Sequence, residues 1–192
     1  MDDLYFMDEA LALAREAAAE GEVPVGCVIV CRGKIVGRGR NRREKDKTAL
    51  AHAEIEAISQ ACEALGGWRL WECTLYVTLE PCPMCAGAIL SARIPRVVYG
   101  ASDGKFGAVR SVCSLFDMKF NHHPAVEAGI REEEAAALKG IDDDLLWYDL
   151  EILLNEPQTG NRPALHIELT YAVRPFAAVE QEYLELYERY KI

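Results

Sequence analysis

Two short segments carry the residues whose chemistry is most specific: His52-Ala53-Glu54 and Pro81-Cys82-Pro83-Met84-Cys85. One imidazole and two thiolates suit Zn2+, and three protein ligands leave a fourth position for water. Cys82 and Cys85 are three apart, so a helix starting near Pro83 would present both thiols on one face, beside its positive N-terminal end. On a helix Glu54 would point roughly 200° away from His52, which suits it to a water better than to the metal. A metal-activated water beside a carboxylate is a hydrolytic device: the ion lowers the water's pKa towards ~7 and the carboxylate carries its proton. A closed structural zinc site could instead recruit Cys73, Cys113 or the His122-His123 pair, but it would leave Glu54 without a task.

The surrounding pattern predicts the elements that hold these segments. Leu4, Met7, Leu11, Ala14 and Ala18 recur at helical spacing over 4–19, and Gly21 stops the helix. Val23–Cys31 and Ile35–Arg40 predict two strands joined by the turn Arg32-Gly33-Lys34, followed by a polar loop over 41–50. Ile55, Ile58, Cys62 and Leu65 share a seam on a helix over 52–65, which Gly66-Gly67 ends. A strand over Cys73–Leu79, a helix over 83–92 and a strand over Arg96–Tyr99 follow. Residues 101–125 read as loop with one short helix, Val126–Ile130 as a fifth strand, and Glu132–Lys139 as a helix. Beyond Gly140, Asp142-Asp143-Asp144 would cap a helix reaching Leu154, and the alternation over 165–173 predicts a strand. Val179, Tyr183, Leu186 and Tyr190 predict a last helix over 176–190. Strands alternating with helices after an opening hairpin imply an α/β sheet covered by helices, with a C-terminal α+β extension.

The chain has 192 residues, of which 51% are hydrophobic and 27% charged, a globular balance. No stretch approaches the roughly 18 consecutive apolar residues of a membrane span. The acidic start and the odd count of seven cysteines predict a soluble, cytoplasmic chain whose thiols are free or metal-bound. Net charge is −10, and residues 140–192 alone carry 11 acidic against 4 basic side chains. Residues 38–47 reverse the sign with six basic and two acidic residues, so Arg42, Arg43 and Lys45 are candidate contacts to a phosphate backbone. Cys27, Cys31 and Cys62 read as small core hydrophobes, and Trp68 and Trp71 as packing residues.

The His-x-Glu and Pro-Cys-x-x-Cys segments together form the zinc-deaminase signature. Residues 4–139 resemble the bacterial tRNA adenosine deaminase (TadA) family well beyond it. The matching segments are Glu22-Val-Pro-Val-Gly26, Asn41, Trp68-Arg-Leu70, Thr74-Leu-Tyr-Val-Thr-Leu-Glu-Pro-Cys82, Met84-Cys-Ala-Gly87, Arg93-Ile-Pro-Arg-Val-Val-Tyr-Gly100 and Asn121-His122. The resemblance implies a cytidine-deaminase-like three-layer α/β/α fold around a mixed sheet of about five strands. It implies a deaminase domain over 1–139, a homodimer with one Zn2+ per subunit, and conversion of the wobble adenosine in a tRNA anticodon arm to inosine. His52, Cys82 and Cys85 would hold the metal and Glu54 would shuttle the proton. Asn41 resembles the residue that reads the purine, and Val25 the apolar wall beside it. Asp103 and Lys105 lie in a loop resembling the one that holds flanking nucleotides, and Asn121 and His122 resemble a further RNA-facing pair.

After Lys139 the chain departs from the family pattern, with no paired phenylalanines and no terminal basic cluster, and it runs on as the acidic segment 140–192. Two alternatives therefore stand beside the tRNA substrate. One is a deaminase of a free nucleobase or nucleoside (guanine, adenine or cytosine type). The other is a deaminase whose residues 140–192 form an interaction module for a further partner.

Overall fold

In the computed structural model, residues 3–145, 149–153 and 166–170 are described. The order is α1 (Asp3–Ala19), β1 (Gly26–Cys31), β2 (Lys34–Arg40), α2 (Arg43–Asp46), α3 (Ala53–Leu65), β3 (Cys73–Leu79), α4 (Pro83–Ala92), β4 (Arg96–Ala101), β5 (Ala125–Ala128), α5 (Glu132–Leu145), β6 (Asp149–Leu153) and β7 (His166–Thr170). One 3-10 turn at Leu115–Asp117 interrupts the long connection between β4 and β5.

Five strands form one mixed sheet in the order β2-β1-β3-β4-β5. β1 runs antiparallel to both β2 and β3, whereas β3, β4 and β5 are parallel. Side chains alternate across this sheet and divide its core in two. Cys27, Ile29, Leu75, Val77, Val97 and Tyr99 face α3 and α4. Val28, Val30, Tyr76 and Val98 face Phe6, Met7, Ala10 and Leu11 of α1, with Ala135 of α5. The three layers follow from strands that are apolar on both faces, as buried strands must be. Among the described residues, no helix is long and apolar enough to cross a membrane.

The chain divides after Lys139 into two compact units. In the second, β6 and β7 pair antiparallel, with Leu150 opposite Leu169 and Ile152 opposite Ile167. This corrects the helix expected over 142–154. Asp142-Asp143-Asp144 lie near the end of α5 and do not start a helix, and Asp149–Leu153 is a strand. The sequence Asp149-Leu-Glu-Ile-Leu153 alternates polar and apolar residues, and that period of two prevails over the capping signal. The helix expected over 176–190 lies outside the described residues.

Two further details differ from the sequence reading. The polar loop over 41–50 contains the single turn α2. Trp68 and Trp71, expected to pack, are 52% and 66% exposed. They sit on the surface connection after the left-handed Gly66, and the Arg69 guanidinium stacks 4.0 Å from the Trp68 ring centre.

Candidate active site

The site begins with glycines. A Cβ at Gly39 would lie 2.1 Å from the Ala53 carbonyl oxygen, and one at Gly37 would lie 2.2 Å from that of Ala57. Only bare backbone lets β2 and α3 approach so closely. α3 therefore buries its narrow face, Ala53, Ala57 and Ala61, and not the expected seam of Ile55, Ile58, Cys62 and Leu65, which is partly covered and ends in an exposed Leu65. The same rotation turns Glu54 inward, to 4% exposure. His52 is the N-cap residue of α3, in extended conformation.

Across the sheet end, α4 starts with Pro83 at its first turn and Cys82 as its N-cap. Proline lacks the N–H that would be orphaned there, so the start is sharp. The His52 Nδ1 atom lies 3.7 Å from Cys82 Sγ and 3.5 Å from Cys85 Sγ, and the three ligand atoms all lie within 4.8 Å of one another. A tetrahedral zinc ion, with Zn–S about 2.3 Å and Zn–N about 2.0–2.1 Å, separates such a nitrogen and sulfur by about 3.6 Å. The donor set and its spacing fit that ion.

Electrostatics agree. The Cys85 thiol and the His52 imidazole hydrogen-bond the Cys82 sulfur and hold its pKa at about 4, despite burial. That bond to Cys82 and burial push the Cys85 thiol up, and His52 is raised chiefly by its bond to Cys82. Burial raises Glu54 to about 7, and the Cys82 charge adds to the effect. Without metal Cys82 is held as a thiolate while Cys85 and His52 are biased towards their protonated forms, and a bound cation would displace those protons.

The family described as the cytidine and deoxycytidylate deaminase zinc-binding region matches residues 1–101. A tRNA-specific adenosine deaminase of Bacillus subtilis strain 168 is 48% identical over 138 residues, covering 71% of this chain and 85% of that protein. The chain belongs to the tRNA-specific adenosine deaminase family. A solved structure from a study of A-to-I editing by tRNA:A34 deaminases at the wobble position of transfer RNA superposes with a TM-score of 0.68 at 49% identity, over 70% of this chain and 98% of that one. A guanine deaminase from Bacillus subtilis superposes with a TM-score of 0.52 at 33% identity, over 63% of this chain and 88% of that one.

The remaining residues suggested by the TadA resemblance fall into three groups. Asn41 and Val25 are hydrogen-bonded to each other and, through Arg42, to the residue before His52. The Asn41 N–H donates to Val25 O at 3.0 Å, and Arg42 N–H donates to Ala51 O at 3.0 Å, beside His52. Asn41 is 4% exposed, and among the described residues its buried Oδ1 has no hydrogen-bond partner. Asp103 and Lys105 lie together on the connection after β4, where Asp103 Oδ1 accepts from Lys105 N–H at 3.0 Å. Asn121 and His122 are tied elsewhere: Asn121 Oδ1 accepts from Arg93 Nη1 at 2.6 Å, and the His122 imidazole donates from Nε2 to Ile94 O at 2.8 Å. Arg93 caps the C-terminal end of α4, roughly 12 Å along the helix axis from Cys85.

The basic strip is largely neutralised by the protein itself. Arg38 pairs with Glu9, Arg40 with Glu20, Arg42 with Asp46 and Glu56, and Lys45 with Glu20. Arg43 has no carboxylate in ion-pairing range among the described residues, and its charge slightly opposes the rise of the His52 pKa.

Two buried carboxylates escaped the sequence reading. Glu22, 2% exposed, accepts from the backbone N–H of Glu44 at 3.1 Å and of Lys45 at 2.8 Å, so it holds α2 in place. Glu80, also 2% exposed, gathers the loop that follows β4. For Glu80 the available signal was an acidic residue immediately after the uncharged strand Cys73–Leu79.

Proposed function

We propose that this chain hydrolytically deaminates the wobble adenosine of a tRNA to inosine. The observation that carries the reading is the convergence of His52, Cys82 and Cys85 on one point, with the Glu54 carboxylate buried two residues beyond His52, in a member of this family. His52 Nδ1 and the sulfurs of Cys82 and Cys85 would hold zinc, which supplies Lewis-acid activation of water there. Glu54, with its pKa near 7, can take a proton from the attacking water and pass it to the purine ring, then carry the second proton, from the added hydroxyl, to the departing amine. The Asn41 side chain offers both an acceptor and a donor to a purine edge, and its unpartnered Oδ1 is the group left unsatisfied until a base arrives. Val25, packed on the same core as Ala53, would form the apolar wall.

Arg43 would meet the phosphate backbone, with Arg42 and Lys45 contributing once they exchange their carboxylate partners. Asp103 and Lys105 would meet nucleotides beside the target, and Asn121 and His122 would contact RNA well away from it. The reading includes a cytoplasmic homodimer, in which the exposed Val112, Met118 and Phe120 would be covered. Residues 1–139 would form the deaminase domain, with 140–192 an appended segment.

The decisive experiment compares inosine formation on an anticodon stem-loop with ammonia release from free adenine, adenosine, guanine and cytosine. Turnover of the stem-loop supports the proposal, and turnover of free bases alone rejects it. That second outcome has one observation in its favour: most cations of the 38–47 strip already face protein carboxylates, which weakens their pull on phosphate.

A further inference from the structure

Glu80 directly follows β3 and immediately precedes Pro81-Cys82. It is 2% exposed, and no cation pairs with it among the described residues. A buried carboxylate without a counter-ion must be solvated by hydrogen-bond donors, and here one stretch of chain supplies them all. Glu80 Oε1 accepts from the backbone N–H groups of Val109 at 3.1 Å, Arg110 at 2.7 Å and Ser111 at 3.0 Å. Its Oε2 accepts from Asp103 N–H at 3.0 Å and from the Ser111 hydroxyl. Successive N–H groups converging on one anion form a nest, and the anion here is covalently part of the protein.

The core holds only one point of the loop, Ala108 and Val109, which are 0% and 3% exposed. Residues 102–114 contain no helix or strand, and Phe106 and Val112 are exposed. Gly107 is pressed so closely on the carboxylate that a Cβ there would sit 2.4 Å from Glu80 Cδ and Oε2. On the other side, Glu80 N–H donates to Ala101 O at 2.9 Å, and Ala108 N–H donates to Pro81 O at 2.9 Å. One side chain thus links the strand end that leads into Cys82 with both ends of the loop that carries Asp103 and Lys105.

We propose that Glu80 is a positioning residue that sets the 102–111 loop against the metal-binding segment and thereby determines recognition of the nucleotides flanking the target base. It touches neither metal nor substrate, and it acts through Asp103 and Lys105. The inference rests on the tRNA reading above for its substrate, but its structural half does not.

The test uses the full-length, zinc-loaded protein with Glu80→Gln, and Gly107→Ala as a second variant that crowds the carboxylate without removing it. Glutamine keeps the shape but presents an NH2 group to donors that need an acceptor, so at least one amide loses its partner. Amide hydrogen exchange at Asp103, Val109, Arg110 and Ser111 is expected to accelerate about tenfold or more, with zinc still bound at one per chain. On an anticodon stem-loop, KM is expected to rise about tenfold while kcat stays within about threefold, the pattern of lost binding and not of lost chemistry. Unchanged exchange at those four amides overturns the proposal, as does a fall in kcat at constant KM. Loss of zinc from both variants also overturns it, by placing Glu80 in the folding of the metal segment. If the parent protein does not turn over the stem-loop, the tRNA reading fails, and the exchange measurement still decides whether Glu80 orders the loop.

Discussion

Replacing Gly39 with alanine tests whether the close approach of β2 and α3 is what places His52. The new Cβ would meet backbone only: Ala53 O at 2.1 Å, Ala57 N at 2.7 Å and Ala53 C at 3.0 Å. No flexible side chain can yield. Restoring ordinary contact near 3.4 Å needs the start of α3 to retreat by more than 1 Å. Such overpacking costs about 1–3 kcal/mol in stability. The larger effect falls on the metal, because His52 directly precedes Ala53 and ligand distances tolerate only about ±0.2 Å. Zinc affinity is therefore expected to drop on the order of 10–100-fold, as when the support of a ligand is removed. Competition with a chromophoric chelator reads the affinity, and thermal melting of the metal-free forms reads the packing cost separately. Gly87→Ala is the control. It lies in α4 two residues beyond Cys85 with nothing within 4 Å of the added carbon, so it should leave affinity unchanged and stabilise by up to about 1 kcal/mol. A Gly39→Ala protein that binds zinc as tightly as its parent would refute the reasoning.

Glu54→Gln should retain zinc and fold yet lower kcat on the order of 10²–10⁴-fold, measured as inosine released under saturating substrate. Arg43→Ala should flatten the slope of log K against log salt for stem-loop binding by about one unit. Arg42→Ala should flatten that slope by less than Arg43→Ala and cost stability as well, since its charge must first leave Asp46 and Glu56. Hydrogen bonding from Ser111 and the loop N–H groups holds Glu80 at about 2, below the 4.5 of an unperturbed glutamate, even though burial opposes it. Its contribution, up to about 3 kcal/mol, is therefore complete above pH 4.5 and is lost as pH falls from there towards 2. The gap in urea midpoint between the parent and Glu80→Gln should narrow over that window; a constant gap would show that the carboxylate's ionisation does not matter.

The cluster of His52, Cys82 and Cys85 and the neighbouring Glu54 were legible in the sequence because their spacing is local. Cys82 and Cys85 share one helical turn, Pro83 marks its start, and His52 and Glu54 are separated by a single residue. The strand order was not, since parallel pairing of β3, β4 and β5 and the edge position of β2 depend on contacts between segments far apart in the chain. The face of α3 was misread for a related reason. Counting apolar residues favours its isoleucines, but the partner surface is glycine, and a flat partner selects the smallest side chains.

By itself, then, the order of residues determined the His-Cys-Cys donor set, the carboxylate beside it and most of the alternation of strands and helices, all of which are set over a few residues. Tertiary structure alone decided which groups have partners. It joined most of the basic strip to carboxylates on α1, α2 and α3, left Asn41 Oδ1 unsatisfied, and wrapped one loop around Glu80. Whether a buried polar atom is satisfied depends on what the rest of the chain brings within 3 Å or so of it, and no spacing along the sequence records that.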